Sequence, residues 1–264
     1  MDVSPGAVRD IVDDIHSTET VFDAVAPLAR DENTLDDWVR GGVSVVGVTI
    51  ASRQDCAGAM GLLGQWHRRL SARRDTLLHV TRPEDMERAR SEGKLGILFH
   101  FQGSVPLEKD LDLVETYYQL GVRVIQLTYN VRDLVGDGCE EPGDAGLSDF
   151  GCELVREMER VGMLVDLSHT GHRTTMEEAE GPVVFSHSTV DAVHKSNRNI
   201  RDDQIKAVAD KGGVIGVSVF PPMVSDTRPQ PTMDELLAHV DYIANLLGTE
   251  HIGFGSDYWQ GQDP

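Results

Sequence analysis

The sequence has few cysteines and no long apolar run. Its three cysteines, Cys56, Cys139 and Cys152, are scattered over 264 residues without a Cys-x-x-Cys pair, which is too few for a disulfide framework. The longest apolar stretches, 43–51 and 213–220, fall well short of the roughly 18–20 residues of a membrane span. The N-terminus is acidic, whereas a secretory signal begins with basic residues. We therefore expect a cytoplasmic protein that has no membrane anchor.

Positive charge is also scarce. The chain carries 24 lysines and arginines against 44 aspartates and glutamates, a formal net charge of −20. Such a field repels the phosphates of nucleic acids and the surfaces of anionic membranes. We therefore expect a small-molecule partner, with no nucleic acid and no membrane, and we leave a homodimer open.

Short apolar runs rich in valine and isoleucine recur along the chain. They are apolar on both faces, as are parallel strands that are covered on each side. Eight segments show this pattern: Ile11–Ile15, Val43–Ile50, Leu95–Phe101, Val122–Leu127, Met163–Leu167, Val183–Phe185, Val214–Phe220 and Ile252–Phe254. Helices are predicted between them over Gln54–Ser71, Pro83–Ser91, Lys109–Leu120, Ser148–Val161, Asp202–Lys211 and Met233–Leu247.

This alternation of eight strands with helices is typical of a (β/α)8 barrel. A doubly wound sheet usually has fewer strands and a glycine-rich phosphate turn, and no G-x-G-x-x-G motif follows the first predicted strand. We therefore predict the α/β class and a single TIM-type (β/α)8 barrel domain over residues 1–264. The sequence stops just past the eighth predicted strand, so we expect the barrel to be truncated there.

In a barrel of this class, catalytic residues lie at the carboxyl ends of the strands. Polar residues follow six of the predicted strands: His16 and Thr18, His100 and Gln102, Thr128 to Asn130, Asp166 to His169, Ser186 to Ser188, and Ser256 with Asp257. We expect these side chains to meet at one mouth. The acidic, glycine-rich loop over 133–148 is long enough to cover that mouth.

His169 and His187 end successive predicted strands, which places two imidazoles within reach of one cation. A lone histidine at a strand end is more often a hydrogen-bonded structural group, but the pair favours a metal site. Asp257 would accept a proton from metal-bound water; the alternative is that it caps a helix. A serine triad is disfavoured because no Gly-x-Ser-x-Gly elbow is present.

Several segments carry a resemblance to a known family: GMLVDLSHTG, GPVVFSHSTVDAV, NRNIRDDQIKAVADKGGVIGV and IGFGSD. Together they resemble the membrane (renal) dipeptidase family of metallopeptidases, in the amidohydrolase superfamily, over about 93–257. The resemblance implies a (β/α)8 barrel that hydrolyses dipeptides at a two-zinc centre. It also implies that His169 and His187 are zinc ligands, that Asp257 handles the proton and the substrate amine, and that Arg198 binds the substrate carboxylate.

The sequence also departs from this family. The family's first strand ends in His-x-Asp, and the nearest counterpart here is His16-Ser17-Thr18. Gln102 stands in place of a metal-bridging glutamate, and a neutral amide is a poor bridge between cations. Tyr129 replaces a histidine near the substrate. We therefore expect one zinc ion rather than two, at His169 and His187, with Gln102 or water completing the sphere and His16 as a weaker candidate.

These observations predict a metal-dependent hydrolase that cleaves the amide bond of a dipeptide or a small amino-acid derivative with metal-activated water. The alternative is a catalytically inactive dipeptidase-like barrel that binds a small ligand. A sugar- or phosphate-processing barrel is disfavoured, because no glycine-rich phosphate site is visible after the seventh and eighth predicted strands.

Overall fold

The structure, a computed structural model, describes residues 5–177, 181–227 and 230–258. Within these ranges nine parallel strands form one sheet: β1 Phe22–Asp23, β2 Val45–Ala51, β3 Leu77–Val80, β4 Leu95–Phe101, β5 Val122–Gln126, β6 Leu164–Asp166, β7 Val183–Ser188, β8 Val214–Val217 and β9 Ile252–Phe254. Eight of them pair in the order β1-β2-β4-β5-β6-β7-β8-β9, and β3 pairs with β4 outside this path. The N–H of Ala24 donates to the carbonyl of Phe254 at 3.0 Å, so the barrel is nearly closed. The predicted (β/α)8 fold is confirmed.

Ten α-helices of the described part accompany these strands: α1 Pro5–Thr18, α2 Leu35–Arg40, α3 Cys56–Ala72, α4 Pro83–Ser91, α5 Asp112–Gln119, α6 Asp149–Val161, α7 His172–Met176, α8 Asp202–Asp210, α9 Pro221–Val224 and α10 Met233–Leu247. The six predicted helices are confirmed to within a few residues. The predicted helix ends are accurate because capping residues mark them in the sequence. In α6, the Ser148 hydroxyl accepts from the N–H of Gly151 at the start of the helix, and Gly162 ends it with a φ of 80°. Among the described helices, none has the length and apolar character that a membrane crossing requires.

The core lies inside the barrel and between the barrel and its helices. Every residue of β2 and β4 is buried, which explains why these strands lack an alternating polar pattern. The rings of Phe101 and Tyr117 pack edge to face, with their centroids 4.9 Å apart. Burial of each large side chain of this kind contributes roughly 1.5–3 kcal/mol.

The predicted strand over Ile11–Ile15 is wrong, because this segment belongs to α1. Its apolar side chains have the spacing of one helix face rather than of a strand and are 45–54 % exposed: Val8, Ile11, Val12 and Ile15. The first strand is β1, which is two residues long and was not predicted. The prediction also missed β3, although its omission does not change the number of strands around the barrel.

His16 and Thr18 therefore do not reach the mouth of the barrel. His16 is exposed on the last turn of α1, and its Nδ1 lies 3.3 Å from the carbonyl of Gly42, which precedes β2 at the amino end of the barrel. The Thr18 hydroxyl donates to the carbonyl of Asp14 within the same helix. The expectation that His16 ends the first strand is wrong, because its segment is helical, and the structure does not bring His16 to the histidine pair as a metal ligand.

A buried carboxylate, Asp23, joins the two ends of the barrel. It accepts hydrogen bonds from the N–H and the hydroxyl of Ser256, at 2.8 and 2.6 Å, and from Nε1 of Trp38 at 3.0 Å. Burial raises the pKa of Asp23, and its hydrogen bonds with Ser256 and Trp38 oppose that rise. Asp23 therefore ties β1 to the segment that follows β9.

We expect Asp23→Ala to lower the free energy of unfolding by about 3 kcal/mol, because it leaves the N–H of Ser256 and Nε1 of Trp38 without their acceptor and the Ser256 hydroxyl with only a long contact to the carbonyl of Val25. Trp38→Phe removes one donor and leaves the carboxylate bonded to Ser256, so its cost should be about 1 kcal/mol. Urea-induced unfolding measures both. Equal losses in the two variants would contradict a closing role for Asp23.

Candidate active site

The carboxyl ends of β5, β6 and β7 bring two histidines together. His169 follows β6 by three residues, and His187 lies within β7. Both side chains are buried, and their Nε2 atoms are 2.8 Å apart. The structure thus brings together the pair that the sequence singled out.

The other ring nitrogen of each histidine is already engaged. Nδ1 of His169 lies 2.5 Å from Oδ1 of Asn130, and Nδ1 of His187 lies 2.7 Å from the hydroxyl of Ser186. Because an amide oxygen accepts only, Nδ1 of His169 is the donor to Asn130. The Ser186 hydroxyl donates its one proton to Asp166, so Nδ1 of His187 donates to Ser186.

Two neutral imidazoles with protonated Nδ1 atoms direct their Nε2 lone pairs at each other. Burial lowers the pKa of both His169 and His187 well below 6.5, and the Arg198 guanidinium lowers both further. Facing lone pairs repel unless a cation or a proton lies between them. Two nitrogens that bind one zinc ion at a tetrahedral angle are roughly 3.3 Å apart. The Nε2 atoms of His169 and His187 are 2.8 Å apart, so a small increase in this distance would admit a cation.

The remaining donors do not provide a second metal position. Within residues 5–177, 181–227 and 230–258, no three His, Cys, Asp or Glu side chains are grouped to hold a metal ion. The segment after β1 reads Ala24-Val25-Ala26-Pro27, none of which carries a ligating side chain. Gln102 is buried after β4, and its neutral amide lies beside the carboxyl of Asp257. The donor set thus fits one cation on two imidazoles and does not fit a two-metal centre.

Asp257 follows β9 and faces the same region. Its backbone has a left-handed φ of 55°, and its N–H donates to the carbonyl of Val25 at 2.9 Å. Burial raises the pKa of its carboxyl to about 7, and the Arg198 guanidinium opposes this rise. A carboxyl of this kind exchanges its proton near neutral pH.

Tyr129 stacks on one of the paired histidines. Its ring lies 4.3 Å from the ring of His169 at an interplanar angle of 22°. Burial raises the pKa of the phenol, which therefore keeps its proton as a donor. The Arg53 guanidinium lies 5.0 Å from the centre of the Tyr129 ring. Arg53 was missed by the sequence analysis, although its position two residues after β2 was the available signal.

Arg198 lies beside the histidine pair in the loop after β7. It is half-buried, and its Nη2 donates to the carbonyl of His187 at 3.2 Å. No carboxylate in the described part of the chain forms a salt bridge with it, so its charge is available to a ligand. Arg198 and His169 both line a cavity of about 580 Å³.

The loop over 133–148 forms part of the wall of this cavity, as its length suggested. It is held in place by Asp137, whose carboxylate accepts from Arg132 at 2.5 and 2.9 Å and from the N–H of Ala145. The carbonyl of Asp137 also accepts from Gly171 at 2.9 Å. These contacts link the loop to the segment that carries His169.

Three residues of the site share an unusual backbone conformation. Asn130, His169 and Asp257 have φ angles of 66°, 66° and 55°. Residues with a Cβ seldom adopt this left-handed region, and each such position costs of the order of 1 kcal/mol or more. The barrel therefore holds these three side chains in directions that a relaxed strand end would not give them.

Comparison with known proteins identifies the family. A profile of the membrane dipeptidase family matches residues 59–263. The chain belongs to the membrane dipeptidase family. The family relationship suggested by the sequence is thereby confirmed.

Solved and curated relatives agree with this membership. An amidohydrolase from Pseudomonas aeruginosa has the same fold with a TM-score of 0.89 and 32 % identity, covering 96 % of this chain and 78 % of that one. A dipeptidase of Schizosaccharomyces pombe, described as uncharacterized, is 34 % identical over 177 residues, which are 64 % of this chain and 42 % of that protein. The chain therefore matches less than half the length of this curated relative.

A more distant structure shares the fold. It is a metallopeptidase from Rhodobacter sphaeroides with a bound phosphinate mimic of the dipeptide L-Ala-D-Ala, with a TM-score of 0.82 and 20 % identity. The alignment covers 90 % of this chain and 86 % of that one. This membrane dipeptidase family chain shares that fold, and its first barrel strand is followed by Ala24 to Pro27, which carry no ligating side chain.

The half-buried Asp133, in the loop of this dipeptidase-family barrel, gives a pH-dependent prediction. Burial raises the pKa of Asp133 to about 6, although hydrogen bonds from Val135 and Gly136 oppose this. The folded state therefore favours the protonated carboxyl, and this contribution to stability is present below pH 4 and lost as pH rises through 6. Asp133→Asn keeps an acceptor for Val135 without the charge. We expect it to raise the free energy of unfolding by about 1 kcal/mol at pH 7.5 and to change it little at pH 4.

Urea unfolding of the wild type and the variant at both pH values measures this difference. Asp75→Asn, in an exposed turn, serves as the control for the general effect of removing one charge from an acidic chain. An equal gain at pH 4 and pH 7.5, or an equal gain in Asp75→Asn, would show that burial of Asp133 is not the cause.

Proposed function

We propose that this protein is a metal-dependent hydrolase that cleaves the amide bond of a dipeptide or a small amino-acid derivative. The observation that carries this proposal is that the Nε2 atoms of His169 and His187 lie 2.8 Å apart, while the Nδ1 atom of each ring contacts an oxygen of Asn130 or Ser186. Family membership supports the same chemistry. The three cysteines are unpaired, which supports a reducing, cytoplasmic setting.

His169 and His187 would hold one cation, and zinc suits two neutral imidazoles. When bound, such a cation polarises a carbonyl and lowers the pKa of water toward 7. Gln102 and water are the remaining donors near the carboxyl end of β4. The site has fewer protein ligands than the three that catalytic zinc usually has, so we expect weak retention of the metal.

The other residues of the mouth would bind the substrate and move its proton. Arg198 presents a planar guanidinium that fits a carboxylate with two hydrogen bonds. Asp257, with a pKa of about 7, would take a proton at its carboxylate and return it to the leaving amine. The protonated Tyr129 hydroxyl would donate a hydrogen bond to the substrate.

The second candidate is a barrel that binds a small ligand without turnover. It is favoured by the apolar segment Ala24–Pro27 after β1 and by the amide at Gln102, because both leave the site short of anionic ligands. A panel of dipeptides with and without added zinc separates the two functions. Hydrolysis that requires zinc supports the enzyme, and ligand binding without hydrolysis supports the binder.

We expect His169→Ala and His187→Ala each to reduce bound metal to background, because a site with two protein ligands has none to spare. Elemental analysis of protein dialysed against a limiting concentration of zinc measures this. The wild type should hold one zinc ion per chain at most. Two ions per chain in the wild type, or unchanged metal in either variant, would contradict the assignment.

His172→Ala is the matched control for these variants. His172 lies near the same cavity but binds the carboxylate of Asp203 at 2.7 Å. Its removal should therefore leave the bound zinc unchanged. A loss of metal equal to that in His169→Ala would show that the assay reports general destabilisation.

Arg198→Lys should weaken the binding of carboxylate ligands about tenfold with little change in the thermal midpoint, because lysine keeps the charge but loses the two-pronged geometry. The measurement compares a dipeptide with its methyl ester by calorimetry. The wild type should prefer the free carboxylate, and the variant should do so far less.

Arg173→Lys provides the control, because Arg173 forms an exposed ion pair with Glu177. It should discriminate between acid and ester as the wild type does. Equal discrimination by the wild type and Arg198→Lys would remove Arg198 from the binding site. A lowered midpoint with unchanged affinity would indicate that it only braces its loop.

A further inference from the structure

A buried chain of hydrogen bonds connects His187 to the opposite side of the barrel. Nδ1 of His187 donates to the Ser186 hydroxyl at 2.7 Å, and this hydroxyl donates to Oδ2 of Asp166 at 2.5 Å. Oδ2 of Asp166 also lies 3.1 Å from Nε2 of His100. All four side chains are at most 4 % exposed, so water does not compete for these contacts.

The direction of these bonds follows from the ionisation of Asp166. The His100 and Ser186 hydrogen bonds overcome the effect of burial and hold the pKa of Asp166 far below its usual range. Its other oxygen, Oδ1, accepts from the N–H groups of Ser168 and Ser186 at 2.9 and 3.0 Å. An ionised carboxylate with four donors cannot donate, so the Ser186 proton points to Asp166 and its lone pair to His187.

A local irregularity of β7 makes this contact possible. Successive side chains of a regular strand point to opposite faces, so Ser186 and His187 would not normally meet. The register between β7 and β8 shifts between Phe185 and Ser188, where three steps along β7 match two along β8. The extra residue turns the Ser186 hydroxyl toward the imidazole that follows it.

The tautomer of His187 decides whether the site can take a cation. With the proton on Nδ1, Nε2 has a free lone pair. With the proton on Nε2, His187 would donate to the Nε2 of His169, 2.8 Å away, and neither Nε2 would keep a free lone pair. The metal-free pair therefore has a built-in competing state in which neither histidine is available.

We propose that Ser186 and Asp166 are positioning residues that hold His187 in its Nδ1–H tautomer and so prevent the two histidines from bonding to each other. Asn130 does the same for His169 through a direct acceptor. The role in cation binding rests on the proposed function, whereas the tautomer preference does not depend on metal or on turnover.

The test is NMR of metal-free protein labelled with ¹⁵N-histidine at pH 7.5, in which the shifts of Nδ1 and Nε2 report the tautomer. His187 of the wild type should carry its proton on Nδ1. In Ser186→Ala the acceptor is gone, and the proton should move to Nε2. Ser186→Thr restores a hydroxyl and should restore the wild-type pattern.

Ser188→Ala is the matched control. Ser188 lies on the other side of His187 in the same strand and is also buried, and its hydroxyl has no hydrogen-bond partner among the described residues. The variant should keep the Nδ1–H tautomer. A proton that stays on Nδ1 in Ser186→Ala, or that moves equally in Ser188→Ala, would overturn the proposal.

Asp166→Asn tests the carboxylate by a second route. An amide nitrogen facing Ser186 would donate to its hydroxyl, which would then donate to Nδ1 of His187 and force the proton to Nε2. Ser186→Ala decides the proposal if this variant does not fold. An unchanged tautomer in folded Asp166→Asn would contradict the role of the charge.

Zinc titration of the same proteins separates this proposal from the proposed function. When a metal-binding histidine loses the hydrogen bond on its other ring nitrogen, metal affinity typically falls 10- to 100-fold. We expect zinc affinity to fall by this factor in Ser186→Ala but not in Ser188→Ala. If the wild type binds no zinc but its tautomer depends on Ser186, the proposed function fails and the positioning role stands. If zinc binds equally to all variants and the tautomer is unchanged, the positioning role fails alone.

Discussion

The site depends on one buried negative charge, the carboxylate of Asp166 at the end of β6. Removing an ionised carboxylate from water costs several kcal/mol unless hydrogen bonds replace its hydration. Asp166 is fully buried and accepts two backbone N–H groups and two side-chain donors, which come from β4, β7 and the segment after β6. The same four bonds that make the charge tolerable also fix the relative positions of the strands that carry the two histidines.

This constraint suggests how a site without carboxylate ligands would stabilise a bound cation. Neutral ligands such as His169 and His187 do not offset the charge of a divalent ion. Asp166 does not contact the ion position, but its negative charge acts on His187 through the polarised Ser186 hydroxyl. Asp257 adds a second negative charge only when its carboxyl is ionised. Because its pKa is about 7, only part of the protein carries this charge at neutral pH. We therefore expect affinity below that of sites with anionic ligands.

Sequence patterns predicted what depends on local periodicity and capping. The strands β2 and β4 to β9 and the six predicted helices follow from buried apolar runs and helix ends, and the positions of His169, His187 and Asp257 follow from those strands. The spacing of Ile11, Val12 and Ile15 fits one helix face, so this error lay in reading the sequence, whereas only tertiary pairing shows that β1 is a two-residue strand. The contacts of Asp23 with Ser256 and of Ser186 with His187 were beyond prediction, because one joins distant segments and the other depends on a register shift.

The net charge of −20 disfavours the binding of polyanions but does not prevent the binding of a small carboxylate. At physiological ionic strength the Debye length is about 8 Å, so the acidic surface is largely screened at the distance of the cavity. Within the cavity the nearest charges decide, and the guanidinium of Arg198 has no salt bridge in the described chain while that of Arg53 rests on Tyr129. A carboxylate that enters the mouth therefore meets positive charge beside the histidine pair. The two arginines, rather than the screened acidic surface, would then favour retention of such a ligand.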